Sequence, residues 1–164
     1  MSSNNYNSKP MSNSKVEMTE MVLPGDTNSQ GNIFGGKVMQ LIDIAASVAA
    51  LRHCRKPVNT VNIDQLDFKK PIKMGHIVVL YAQVEYVGIT SMEIGVEVFS
   101  ENPLTGERIK TTVAHLVFVA LDENGKPTKV EQVVPESDDE KRRYQEAKQR
   151  REARRKQILN KGAV

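Results

Sequence analysis

One run of this chain combines a polar, glycine-closed loop with a helical carboxylate, residue types that could serve acid–base chemistry or hold negative charge. It is the polar loop Asp26-Thr-Asn-Ser-Gln-Gly-Asn-Ile-Phe-Gly-Gly36, which leads directly into a stretch with no proline or glycine, Lys37–His53. The spacing predicts a glycine-closed loop feeding a helix N-terminus, where unpaired backbone N–H groups and the helix dipole favour negative charge. Apolar Val38, Leu41, Ile42, Ala45, Val48 and Ala49 recur at helical spacing over this stretch. Asp43 lies among them, between Ile42 and Ile44, and is the one carboxylate inside the helix. It is either a solvated residue on the polar flank or a catalytic acid or base. His53 and Cys54 are neighbours in sequence, but adjacent helical positions do not face one another, so they are not expected to form a nucleophile–base pair. The three histidines, His53, His76 and His115, have no ligand spacing, and no metal is expected. No Walker or Rossmann glycine pattern occurs.

The elements that must position these residues can be read in order. Residues 1–15 are rich in Ser and Asn and are expected to be a disordered N-terminal tail. Val16–Leu23 is an expected edge strand, stopped by Pro24-Gly25. The helix that follows is rich in alanine and serine (Ala45, Ala46, Ser47, Ala49, Ala50), which lets it lie close on a sheet. Val58–Phe68 alternates in character and predicts a strand using both faces. Lys69–Gly75 is a turn region. Ile77–Val87, β-branched and aromatic, is a strand. Gly88-Ile-Thr turns into Ser91–Ser100, where Met92, Ile94, Val96 and Val98 share one face and Glu93, Gly95 and Glu97 the other. Asn102–Gly106 turns into Ile109–Leu121, and Asp122–Pro127 is a further turn. One long helix followed by three or four antiparallel strands gives an α+β class with the helix laid on a curved antiparallel sheet. Residues 136–164 form a separate basic segment, expected to be a solvated helix capped by Ser137 or Asp138, with too few apolar residues for a core face.

Bulk properties set limits on these readings. A chain of 164 residues holds one domain, with 39% hydrophobic residues and no Trp. That lean core suggests that other subunits cover part of the apolar surface. A single cysteine excludes an intrachain disulfide and fits a reducing compartment. No window approaches a membrane span and the N-terminus has no signal-like apolar segment, so a cytoplasmic location is expected. The net charge of +3 is concentrated between Asp139 and Lys156, where nine Lys/Arg and four Asp/Glu leave a local +5. Tyr144 is the one aromatic there, a poor base for nucleic-acid stacking.

The segment DTNSQGNIFGGKVMQLID, continued by VNTVNIDQLDFKKPIKMGHIVVLYAQVEYVGITSMEIGVEV, resembles the hotdog-fold acyl-CoA thioesterases. The similarity is to the acyl-CoA hydrolase branch that includes brain acyl-CoA hydrolase, in a bacterial single-domain form, and it spans roughly residues 15–155. It implies a hotdog domain over 16–135 and hydrolysis of acyl-CoA to free acid and coenzyme A, with no cofactor beyond the coenzyme A of the substrate. It also implies dimers with a continuous sheet, commonly assembled as trimers of dimers. Asp43 then becomes the general base or nucleophile and Asn28 its catalytic partner, contributed by different protomers. Asn32 is either a turn or N-cap residue or a direct participant. Gly35 and Gly36 present backbone N–H groups to the thioester oxygen. Thr90, Ser91 and Met92 lie along the coenzyme A path, and Lys69, Lys70, Arg142, Arg143, Arg150 and Arg151 are candidate phosphate partners. Two rivals stand beside this reading: a non-catalytic acyl-CoA or nucleotide binder on the same fold, and a nucleic-acid binder acting through the basic tail.

Overall fold

A computed structural model describes residues 7–162 of the chain. Among these, nine helices and strands follow one another as β1 (Ser8–Pro10), β2 (Val16–Met21), α1 (Gly35–Cys54), β3 (Val58–Phe68), β4 (Ile77–Val87), β5 (Ser91–Glu101), β6 (Arg108–Ala120), β7 (Gln132–Val134) and α2 (Asp138–Lys161). Two short 3₁₀ turns, Met11–Ser14 and Pro24–Asp26, flank β2. The large sheet is antiparallel with strand order β2-β4-β5-β6-β3, so β2 and β3 are its edges. β1 and β7 make a small parallel pair apart from it.

α1 lies on one face of this sheet. Ala45, Ala46, Ala49 and Ala50 have no solvent exposure, and Val38, Leu41 and Ile42 are buried beside them. Small side chains let the helix axis approach the strands; enlarging one of these alanines would overpack the interface at a cost of about 1–3 kcal/mol. Arg55, at φ 52°, ends the helix in the left-handed region, and its N–H still reaches Leu51 O at 2.9 Å. The α+β arrangement of a long helix on an antiparallel sheet is as expected from the sequence.

Two expectations need correction. The disorder expected for residues 1–15 does not hold over 8–14, while residues 1–6 lie outside the described range. Met11 is fully buried in the core. The Ser14 hydroxyl donates to Met11 O (2.8 Å) and accepts from the Val84 N–H (2.9 Å). Lys9 donates to His53 O (2.8 Å) and pairs with Glu131 (2.8 Å). One apolar anchor and non-local pairing outweigh the polar composition.

The second correction concerns α2, which is not a merely solvated helix. Ser137 caps it, accepting from Glu140 N at 3.1 Å while Glu140 reaches back to Ser137 N. It lies on the sheet face opposite α1 and is held there by charge. Arg143 bonds Glu97 (3.2 Å), Arg150 bonds Glu85 (2.8 Å), and Arg154 bonds both Glu93 and Asp64 (3.0 Å). Glu85 is 1% exposed and Glu93 2%. Burial pushes both carboxyls above their usual range, with the neighbouring arginines, Arg150 and Arg143 at Glu85 and Arg154 at Glu93, pulling the other way. The polar face of β5 is thus an internal layer. Gly95 belongs to it, because a Cβ there would come within 2.1 Å of Glu85 Oε1.

Candidate active site

The loop before α1 is fixed by its own backbone. Asn28 Oδ1 accepts the N–H of Gln30 (3.0 Å) and of Asn32 (3.2 Å), and the Asn28 N–H donates to Asn32 O at 2.8 Å. Gly31, at φ 76°, supplies the left-handed residue that this turn requires. Outside the turn, Ile33 N–H donates to Ile72 O and Phe34 N–H to Asp26 O, both at 2.7 Å. The Asn28 carbonyl oxygen is therefore spent on the loop, while its amide NH₂ has no acceptor among the described residues. Asn32 closes the turn through its backbone and does not cap α1, whose N-cap is Phe34 with no side-chain bond.

Gly35 and Gly36 are the first two helical residues of α1, and neither has a positive φ. Their N–H groups meet no acceptor among the described residues, as expected of a helix start. A Cβ on Gly36 would fall 2.6 Å from the Phe34 ring, so glycine there lets the ring fold back over the helix start. A cleft of 310 Å³ brings together Asn28, Asn32, Gly35, Phe68, Lys69 and Lys70. Five of the expected site residues thus share one concavity that has a helix N-terminus and two lysines on its wall.

Asp43 lies elsewhere along the helix. It is half-buried, and its Oδ1 accepts the Thr60 hydroxyl from β3 at 2.8 Å. Eight residues of helix separate it from Gly35, an axial rise of about 12 Å. Within one chain Asp43 does not line the cleft that holds Asn28. Thr60 was not among the residues expected from sequence. Its one signal was phase: it is two positions from Val58, which packs on the core, and that phase turns it towards α1.

The remaining candidates divide. Thr90 O accepts Ala120 N–H (3.0 Å) and Ser91 O accepts Gly88 N–H (2.8 Å), in the turn between β4 and β5. Met92 has no solvent exposure and belongs to the core, so its side chain has no surface to offer a ligand. Arg142 is taken by Asp139 (2.6 Å) and Glu146 (3.0 Å), and Arg143 by Asp139, Glu97 and Glu85. Arg143 is held against the sheet by these carboxylates, whereas Arg142 stays exposed and pairs only with carboxylates of its own helix. Arg150 is likewise bound to Glu85. Arg151 stands 5.8 Å over the Tyr86 ring. His53 is buried with Nε2 against Glu131 O at 2.8 Å, and Cys54 Sγ lies against Lys56 O at 3.4 Å; the two side chains do not pair. Burial lowers the His53 pKa.

Comparison with known proteins gives this arrangement a family. Residues 30–107 match the thioesterase superfamily model. The uncharacterized acyl-CoA thioester hydrolase YkhA of Bacillus subtilis (strain 168) is 48% identical over 127 residues, covering 77% of this chain and 74% of that protein. A crystal structure of an apo-hexameric acyl-CoA thioesterase superposes with a TM-score of 0.89 at 46% identity, covering 92% of this chain and 97% of the other. The acyl-CoA hydrolase of Staphylococcus aureus, solved with butyryl coenzyme A, coenzyme A and coenzyme A disulfide, gives a TM-score of 0.88 at 39% identity over 94% of each chain. That hydrolase has also been solved with alanine at its residues 43, 60 and 28, an aspartate, a threonine and an asparagine. On the strength of these matches and of its helix-on-sheet architecture, this chain belongs to the acyl-CoA thioester hydrolase family of hotdog-fold thioesterases.

Proposed function

We propose that this protein hydrolyses acyl-CoA to a free carboxylic acid and coenzyme A, with Asp43 as general base. The observation that carries the proposal is the Thr60–Asp43 bond, which fixes one carboxylate oxygen and leaves the other for a water molecule. As the water oxygen attacks the thioester carbonyl carbon, its proton passes to Asp43. Negative charge develops on the carbonyl oxygen, where the N–H groups of Gly35 and Gly36 and the Asn28 amide act as donors. The tetrahedral species collapses, the carbon–sulfur bond breaks, and the thiolate takes the proton from Asp43. A thiolate is a fair leaving group, so no strong acid is needed to assist it. Lys69 and Lys70, on the wall of the cleft, are the proposed partners of the coenzyme A phosphates.

The site is shared between two copies of the chain. β3 is an open sheet edge, and Val61, Ile63 and Phe68 are exposed along it, as are Met39, Ile44 and Leu51 on α1. An exposed edge with an apolar flank is the surface that strand pairing with a second copy covers. Such pairing brings Asp43 of one protomer towards the Asn28 cleft of the other. The hexameric relative supports assembly of three such dimers. Among the described residues no helix is long and apolar enough to cross a membrane.

Release of free thiol from a series of acyl-CoA chain lengths tests the proposal. Stoichiometric thiol and acid are expected for at least one chain length. Binding of acyl-CoA without any release would instead make the protein a sensor.

A further inference from the structure

The sheet-facing stripe of α2 runs through Glu140, Arg143, Ala147, Arg150 and Arg154, three or four residues apart. Each charged member of it meets an opposite charge: Glu140 meets Lys15 at 3.3 Å, and the arginines meet Glu97, Glu85, Glu93 and Asp64. The last anchor, Arg154 on Asp64, is on β3, the edge strand.

One turn beyond Arg154 the same stripe presents Ile158, which is 65% exposed, with Leu159 beside it at 73%. The helix therefore continues past its last ionic anchor, about 6 Å further along its axis, with its two largest aliphatic side chains uncovered. On β3, Val61 is also exposed. Arg155, Lys156 and Lys161, in the same two turns, have no ion-pair partner among the described residues. β3 carries the exposed Asp67, whose carboxylate receives, among the described residues, only the Gln65 amide. Aliphatic residues and cations at the helix end therefore complement aliphatic residues and a carboxylate on the edge strand.

We infer that the last two turns of α2, Arg155–Lys161, form an interface with a second copy of this chain. There Ile158 and Leu159 pack on the partner's β3 and the cations face its carboxylates. The inference rests on the β3-edge assembly proposed above and adds a second contact layer to it on the sheet face opposite α1. By twofold symmetry each α2 end covers the other protomer's edge strand. This explains why α2 extends beyond its last ionic anchor and why its terminal aliphatics lie on the stripe that faces the sheet.

The test is sedimentation velocity and equilibrium on the full chain, comparing the parent with the double variant Ile158→Asp, Leu159→Asp. Far-UV circular dichroism confirms that α2 is retained. The parent should be oligomeric, and the variant should dissociate at a concentration at least about tenfold higher than the parent's, as expected for losing two buried aliphatics per protomer. A second variant pairs Leu159→Cys with Val61→Cys; mild oxidation should give covalent dimers on a denaturing gel. An oligomeric parent with an unchanged double variant and no covalent dimer overturns the inference but leaves the β3-edge assembly standing. A monomeric parent overturns both. Co-sedimentation of the parent with vesicles of anionic phospholipid, abolished in the double variant while assembly is unchanged, would assign these turns to a membrane surface and also overturn it.

Discussion

The Thr60 hydroxyl donates to Asp43 Oδ1 at 2.8 Å, linking the middle of the core helix to the open edge strand of the sheet. This bond fixes the rotamer of the one carboxylate in α1 and joins the proposed general base to the edge strand on which the proposed dimer is built. Asp43→Asn keeps the shape and removes the base, and turnover should fall about 10²–10⁴-fold. Thr60→Val should cost about tenfold, the loss of one bond to a charged acceptor, and Thr60→Ser should restore most of it. Initial rates on one acyl-CoA, with the oligomeric state checked for each variant, decide this. A Thr60→Val enzyme as fast as the parent would show that Asp43 needs no such support.

Asn28 does two things that different substitutions separate. Its carbonyl oxygen holds the loop through Gln30 and Asn32, while its NH₂ group is free to donate. Asn28→Asp keeps the loop acceptor and loses the donor, so kcat should fall while thermal stability stays near the parent's. Asn28→Ala loses both, so kcat should fall and the midpoint of unfolding should also drop by a few degrees, about 1–2 kcal/mol. Paired kinetic and calorimetric measurements check the split.

The underside of α2 should behave as a buried ionic layer. Arg154→Ala leaves Glu93, which is 2% exposed, without its partner. The expected cost is about 3–5 kcal/mol, read as a loss of roughly 10 °C or more in the unfolding midpoint. Replacing both members with leucine, Arg154→Leu with Glu93→Leu, should recover much of that loss. Equal stability of Arg154→Ala and parent would mean that the layer is solvated.

His115 gives the fold a pH signature. Burial and then the nearby Arg150 hold its pKa down at about 4, with Glu85 3.8 Å from Nδ1 and Asp64 and Arg143 also near. The unfolded chain binds a proton at this residue near its ordinary value of about 6.5, and the folded chain does not. Stability from this group is therefore full above pH 6.5 and is lost as pH falls from about 6.5 to about 4, by up to about 3 kcal/mol. His115→Gln should flatten the difference in stability between pH 7 and pH 4.5 relative to the parent. An unchanged pH profile in denaturant titrations would contradict the assignment.

How much of this could be read beforehand depended on locality. Ile77–Val87 matches β4 at both ends, because β-branched density and flanking glycines are local signals. The helix start was legible from Gly35-Gly36, and α1 begins there. β3 was harder. Register shifts between Thr60 and Asn62 and between Ile63 and Gln65 break the two-residue period, so alternation does not assign its faces. Met11 looked like part of a polar tail because its burial depends on β7 and β4, which lie far along the chain. The α2 arginines looked like a solvated or ligand-binding row because composition does not show which carboxylates face them. Among the candidate site residues, the loop, the helix and the cleft lysines were visible. Thr60 was hidden by distance in sequence, and Met92 and Arg143 took roles in packing and cross-element ion pairing that only the tertiary arrangement reveals, while Arg142 pairs within its own helix.

The central claim, a site assembled from the Asn28 loop of one protomer and the Asp43 of another, has a direct test by subunit mixing. Purified Asn28→Ala and Asp43→Ala proteins, each expected to be impaired alone, are dissociated together, reassembled and assayed for thiol release. Random pairing makes half the dimers mixed, and each mixed dimer carries one intact site, so about a quarter of the parent activity should return. A mixture that reassembles but stays as inactive as its components would contradict the shared site.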